Sequence, residues 1–208
     1  NEYDRIKSYY RNQIRDNIEQ FGIKKSQFMI LKGLTQLRLA SNHPRLVNDA
    51  YPSDASKFEE ILQKVEELTA TNHMILVLSQ IVRHLNFLKE SFEQRGIGYS
   101  MLTGNSKKRE DIIQDFRENT QKPVFLISLK AGGVGLNLVE ADYVFICDPW
   151  WNPATESQAI NRAHQIGQDK RVIAYKFITK GTIEEKILTL QERKSALVRD
   201  VIQADQRQ

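Results

Sequence analysis

Cysteine is almost missing: Cys147 stands alone among 208 residues, so no internal disulfide can form and a reducing, intracellular setting is expected. Proline and glycine are sparse, with 5 and 10 residues, which excludes collagen-like and low-complexity chains. Long hydrophobic runs are also lacking. The longest strongly apolar stretches, Met74 to Leu78 and Val124 to Leu129, fall far short of the ~20 residues that a membrane-spanning helix needs. No apolar leader precedes the charged N-terminal segment, so neither membrane insertion nor secretion is expected. The four histidines, at 43, 73, 84 and 164, share no ligand spacing with one another or with Cys147, and no structural metal is expected.

What remains is the composition of a globular protein, 40% hydrophobic and 27% charged, in a length that suits one or two domains. The net charge of +4 is unevenly spread. Residues 1–50 carry nine basic and five acidic groups, residues 51–156 carry 11 and 15, and residues 157–208 carry ten and six. The basic excess therefore lies at the two ends. It would suit a polyanionic partner, and it is equally the surplus of an ordinary solvated helix face.

The first fifty residues read as a helical arm: Ile6, Tyr9, Tyr10, Ile14 and Ile18 fall near helical spacing, and Phe28, Leu31, Leu34 and Leu37 repeat it until Pro44. A loop is expected over 48–56. Ser56 with Glu59, and later Thr182 with Glu185, are capping-box signatures that open helices. Between them the pattern alternates. Strands are expected over 74–78, 98–102, 124–128, 143–148 and 172–178, and helices over 81–95, 106–117 and 155–166. Such alternation predicts an α/β fold, a parallel sheet wrapped by helices on both faces, with sites at the carboxyl ends of its strands.

Three segments at those ends can carry chemistry. Ser128 to Asn137 leaves a strand with Gly132, Gly133 and Gly135; glycines there let backbone N–H groups approach a phosphate, and Ser128 and Lys130 add a hydroxyl and a charge. A ligand-free tight turn would use glycine in the same way. The spacing fits neither a dinucleotide fingerprint nor a phosphate loop ending in Lys-Ser or Lys-Thr. Asp148 to Pro153 places Trp150 and Trp151 side by side. Neighbours on an extended segment point oppositely, so at most one is core and the other is free to stack on a base or sugar. In Gln158 to Gln168, Arg162 shares a helix face with Gln158 and Ile166, and is either a buried salt-bridge partner or a group offered to an anion.

In order and spacing, these segments resemble the C-terminal helicase lobe of the Swi/Snf-type ATP-dependent DNA translocases, a branch of helicase superfamily 2. Leu37-Arg38 with Asn42-His43-Pro44 resembles the stretch ahead of that lobe, and Leu76 to Gln80 its motif IV. Leu102-Thr103-Gly104 with Arg109 and Phe116 resembles the next block, Ser128 to Leu138 motif V, Trp151-Asn152-Pro153 its extension, and Gln158 to Gln168 motif VI.

The resemblance implies a RecA-like lobe over residues 56–208, with residues 1–55 as a helical arm joining it to a partner lobe, and a long final helix. It implies ATP with Mg²⁺ between this lobe and an N-terminal RecA-like lobe of the same polypeptide, and double-stranded DNA across both. By position, Gly135 and Asn137 would touch the nucleotide, Arg162 would be the arginine finger, and Thr103, Ser128, Lys130 and Trp151 would contact DNA. Gln165 stands where the family usually has a second arginine, and it brings a hydrogen bond without charge. No Gly-Lys-Thr loop is present. The chain is therefore expected to be half of an ATP hydrolase, unable to hydrolyse ATP alone, and DNA-associated in a bacterial nucleoid or a eukaryotic nucleus. A degenerate lobe kept as a DNA- or protein-binding module is the alternative; an unrelated nucleotide-binding α/β domain fits less well.

Overall fold

The computed structural model describes residues 1–52, 55–128, 138, 140–161, 163 and 171–205. The expected single helical run is two helices, α1 (Glu2–Phe21) and α2 (Ile23–Asn42). Asn1 caps α1 by accepting the Asp4 N–H at 2.8 Å, with Glu2 and Asp4 in the positive first turn. The break is one residue long. Gly22 adopts φ 81°, a conformation costly for residues with a Cβ, while its N–H still bonds Ile18 O at 2.8 Å. The sequence hides this corner because no polar loop marks it.

After a 3₁₀ turn at Pro44–Leu46, α3 (Ser56–Ala70) buries Phe58, Ile61, Leu62 and Val65. Ala55 is its N-cap and Ser56 already lies inside the helix, so the Ser56–Glu59 box does not form. Then come β1 (Ile75–Ser79), α4 (Val82–Arg95), β2 (Tyr99–Leu102), α5 (Arg109–Glu118), β3 (Val124–Ser128), β4 (Tyr143–Ile146), α6 (Pro153–Asn161), β5 (Ile173–Lys176) and α7 (Ile183–Asp205). Gly96 closes α4 in the left-handed conformation that Arg95-Gly96 predicts. Helix α5 begins three residues later than its sequence suggests. Ser106 serves the preceding turn instead, its hydroxyl accepting the Thr103 N–H at 2.8 Å and its own N–H bonding Thr103 O at 3.1 Å.

The five strands form one sheet in the order β2-β3-β1-β4-β5, every pair parallel. Strand β1 is central and buried along its whole length, which accounts for its uninterrupted apolar run. Its alternate side chains feed two cores. Ile75 and Val77 pack with Phe58, Val65, Leu85, Leu88 and Phe92 from α3 and α4, whereas Leu76 and Leu78 pack with Phe116, Trp150 and Ala159 on the other face. Gly98, at the entry to β2, is fixed by sterics: a Cβ there would sit 1.7 Å from the Gln121 carbonyl oxygen. No helix among the described residues is long and apolar enough to cross a membrane.

Candidate nucleic-acid interface

Four neighbouring strands, β2, β3, β1 and β4, end at Thr103, Ser128, Gln80 and the 148–151 segment. At the usual spacing of ~4.8 Å between strands, this row is about 14 Å long. Thr103 is half-buried, with its N–H turned into the Ser106 bond. Ser128 is buried, and its hydroxyl has no hydrogen-bond partner among the described residues. The two tryptophans divide as alternation requires: Trp150 is 1% exposed and Trp151 42%. Trp150 is pinned through its backbone, its main-chain N–H donating to Glu156 Oε1 at 2.8 Å and its carbonyl accepting from Gln191 Nε2. Pinning Trp150 obliges Trp151 to face outward.

Asp148 organises the middle of the row. Its carboxylate is buried and accepts the Ser79 hydroxyl at 2.5 Å and the Gln80 N–H at 3.2 Å. Burial raises its affinity for a proton, opposed first by the Ser79 hydrogen bond and then by the charge of Lys57. These bonds tie the ends of β1 and β4 together and fix the backbone from which the exposed Gln80 side chain projects. Gln80 Oε1 in turn accepts a hydrogen bond from Arg38 Nη2, and the Arg38 guanidinium carbon lies 5.8 Å from the centre of the Trp151 ring. Helix α2 thus reaches the sheet's carboxyl edge through one arginine.

A second cation, Lys57, was not foreseen. Its ammonium is buried and donates to Asn42 Oδ1 at 3.0 Å, to Cys147 O at 2.9 Å and to Glu184, with which it forms a 2.5 Å ion pair. Glu184 Oε1 also accepts the Thr179 N–H at 2.9 Å. This network joins the ends of α2 and β4 to the starts of α3 and α7. The sequence carried a signal: Lys57 precedes Ile61 by one helical turn, and Glu184 shares a stripe with Ile187 and Gln191, so each is a polar group on an apolar face. The Thr182–Glu185 signature pointed to the wrong glutamate. Glu185 is exposed, and the Thr182 hydroxyl accepts the N–H of Glu184 at 3.3 Å.

Nearby, His84 is fully buried with neither ring nitrogen partnered among the described residues. Burial, with the charge of Lys57 and then His43, lowers its pKa to about 3, so it stays neutral. Burial likewise pushes the Cys147 thiol up, which removes it as a nucleophile.

Lys130, Gly135, Asn137, Arg162 and Gln165, the remaining residues singled out from sequence, lie outside the described residues. Among the described residues no group of three or more His, Cys, Asp or Glu side chains is placed to hold a metal ion. The row offers a half-buried Thr103, a guanidinium and an indole face, while the Ser128 hydroxyl is buried and the Asp148 carboxylate is already engaged. That donor set suits an anionic ligand with planar groups.

Comparison with known proteins bears on the family and the fold. The family model for the helicase conserved C-terminal domain matches residues 56–167, more than half of the chain. The chain is 32% identical over 219 residues to the chromodomain-helicase-DNA-binding protein 3 homolog of Caenorhabditis elegans, covering 95% of this chain and 12% of that protein. It is 41% identical over 149 residues to the DNA repair protein RAD5B of Arabidopsis thaliana, covering 70% and 12%. Among solved structures, the C-terminal domain of a Sulfolobus solfataricus SWI2/SNF2 ATPase superposes with a TM-score of 0.74 at 29% identity, over 95% of this chain and 84% of that one. The SWI2/SNF2 ATPase core from Sulfolobus solfataricus in complex with double-stranded DNA gives 0.80 at 31% identity, over 98% and 43%.

Proposed function

From a chain that belongs to the helicase C-terminal domain family, in its Swi/Snf-type branch with a RecA-like fold, we propose the second motor lobe of an ATP-dependent, DNA-stimulated translocase on duplex DNA. The observation that carries this reading is the row at the carboxyl edge of β2, β3, β1 and β4, where Thr103, Ser128, Gln80 and an outward Trp151 lie at or just past the ends of four adjacent strands. Hydroxyls and an aromatic face at that edge suit a sugar-phosphate backbone, and such contacts position DNA without reading its sequence.

In this reading Thr103, Ser128, Lys130 and Trp151 hold the DNA. Gly135 and Asn137 border the nucleotide, and Arg162, with Gln165 three positions later in the sequence, meets its phosphates. These four nucleotide-side assignments rest on the sequence match. ATP with Mg²⁺ supplies the phosphoanhydride whose cleavage drives the motion; this lobe's contribution is charge at the phosphates, an interaction worth on the order of 10³ to 10⁵ in turnover when an arginine finger provides it. The phosphate loop and the magnesium ligands are assigned to an N-terminal RecA-like lobe, with residues 1–55 as the arm that joins the two. The chain spans 12% of each of the two curated relatives above and 43% of the Sulfolobus ATPase core, which supports a lobe that works within a larger protein. That protein acts on DNA inside the cell, in a nucleoid or a nucleus.

The test is DNA-stimulated ATP hydrolysis by the two-lobe protein and by this chain alone. Turnover only when the lobes are joined is expected. A two-lobe protein that binds DNA yet hydrolyses nothing, and stays silent after Gln165→Arg, would instead identify a binding module.

A further inference from the structure

We propose that Arg38 of α2 is itself a DNA-backbone contact, forming with Trp151 one composite platform for a phosphodiester and its sugar. The inference rests on the reading of the carboxyl edge as a DNA surface. It adds a residue from the arm, outside the strand ends that pointed to that surface.

Three observations converge on this assignment. Arg38 is half-buried, and among the described residues no carboxylate pairs with it; its recorded polar partner is the neutral side-chain oxygen of Gln80. A guanidinium has five N–H donors in a rigid fork, so one bond to Gln80 leaves a bidentate edge for phosphate. Its position is also set in advance. Gln80 is anchored through its own N–H to Asp148, Asp148 is held by Ser79, and the indole face of Trp151 lies within 5.8 Å of the guanidinium carbon, inside the range of a cation–π contact. Finally, Arg38 is not needed to dock the arm. One turn further along α2, Asn42 accepts from Lys57 and the Ser41 carbonyl accepts from the Thr179 hydroxyl at 2.8 Å, so the helix end is fixed by buried bonds.

The experiment titrates a fluorescently labelled mixed-sequence DNA duplex with the two-lobe protein over a range of salt concentrations. Loss of one phosphate contact in Arg38→Ala is expected to weaken binding about tenfold and to lower the slope of log affinity against log salt by about one. Arg38→Lys should restore the slope but only part of the affinity, because an ammonium keeps the charge without the fork. Arg38→Gln, which keeps much of the side-chain bulk, should behave as Arg38→Ala. Unchanged slope and affinity in both neutral variants, alongside a loss in Trp151→Ala, would overturn the proposal and leave the DNA surface standing. Failure of the wild-type protein to bind the duplex would remove the DNA surface and this contact together.

Discussion

Lys57 and Arg38 each carry a positive charge to the same end of the central strands, yet they serve opposite purposes. Lys57 is sealed, its three ammonium donors matched to Asn42, Cys147 O and Glu184. Arg38 is left open, with one bond to Gln80 and a ring beside it. Trp150 and Trp151 repeat the contrast at the end of β4, one locked into the core and one turned outward. A cation whose donors are all satisfied holds elements together, whereas one with spare donors at a sheet edge is available to a ligand. Burial and the count of unspent donors separate the two roles in the same way: Lys57 and Trp150 are buried, Arg38 is half-buried and Trp151 is exposed.

The sealed half of each pair should be the costly one to lose. Lys57→Met leaves the Glu184 charge buried and is expected to destabilise the fold by about 3–5 kcal/mol, measured by denaturant unfolding; replacing Glu184 with Leu in the same protein should recover much of it. A loss below about 1 kcal/mol would place Lys57 with Arg38. Trp150→Ala should cost a similar ~3–5 kcal/mol through the cavity it opens.

His84 gives the next largest effect. Its pKa is lowered to about 3 in the fold, while the unfolded side chain titrates near 6.5. Between those values the unfolded chain binds a proton that the folded chain refuses, so stability present above pH 6.5 drains as pH falls through this window. From pH 6.5 to 5 the loss is up to about 2 kcal/mol. Asp148, whose proton affinity is raised by burial, acts in the opposite sense. Melting temperatures followed across this range should fall less steeply in His84→Leu; an unchanged slope would mean that His84 finds a proton acceptor in the fold. Smallest of all, Arg38→Ala and Trp151→Ala should each change stability by no more than about 0.5 kcal/mol while weakening DNA binding.

The sheet was legible because β1, β3 and β4 are short apolar runs and the helices that follow β1 and β2 carry apolar stripes of their own. The rule that places sites at carboxyl ends led to the candidate edge, and alternation predicted that one tryptophan turns outward without saying which. Two kinds of feature escaped. Local competition moved boundaries: Gly22 turns a corner with no polar loop to announce it, and Ser106 closes a turn where it would otherwise have opened a helix. Long-range pairing left no trace of which residues meet. Lys57 and Glu184 are 127 residues apart, and Arg38 and Gln80 are 42 apart, so the sequence shows polar residues on apolar stripes without showing which ones meet.

The motor reading is tested most directly by measuring DNA-stimulated ATP hydrolysis and duplex affinity together in the two-lobe protein bearing Arg162→Ala. Turnover is expected to fall by on the order of 10³ or more with DNA affinity almost unchanged. Turnover that survives the substitution, or an equal fall in hydrolysis, DNA binding and thermal stability, would contradict it, because Arg162 would then be dispensable or a support of the fold.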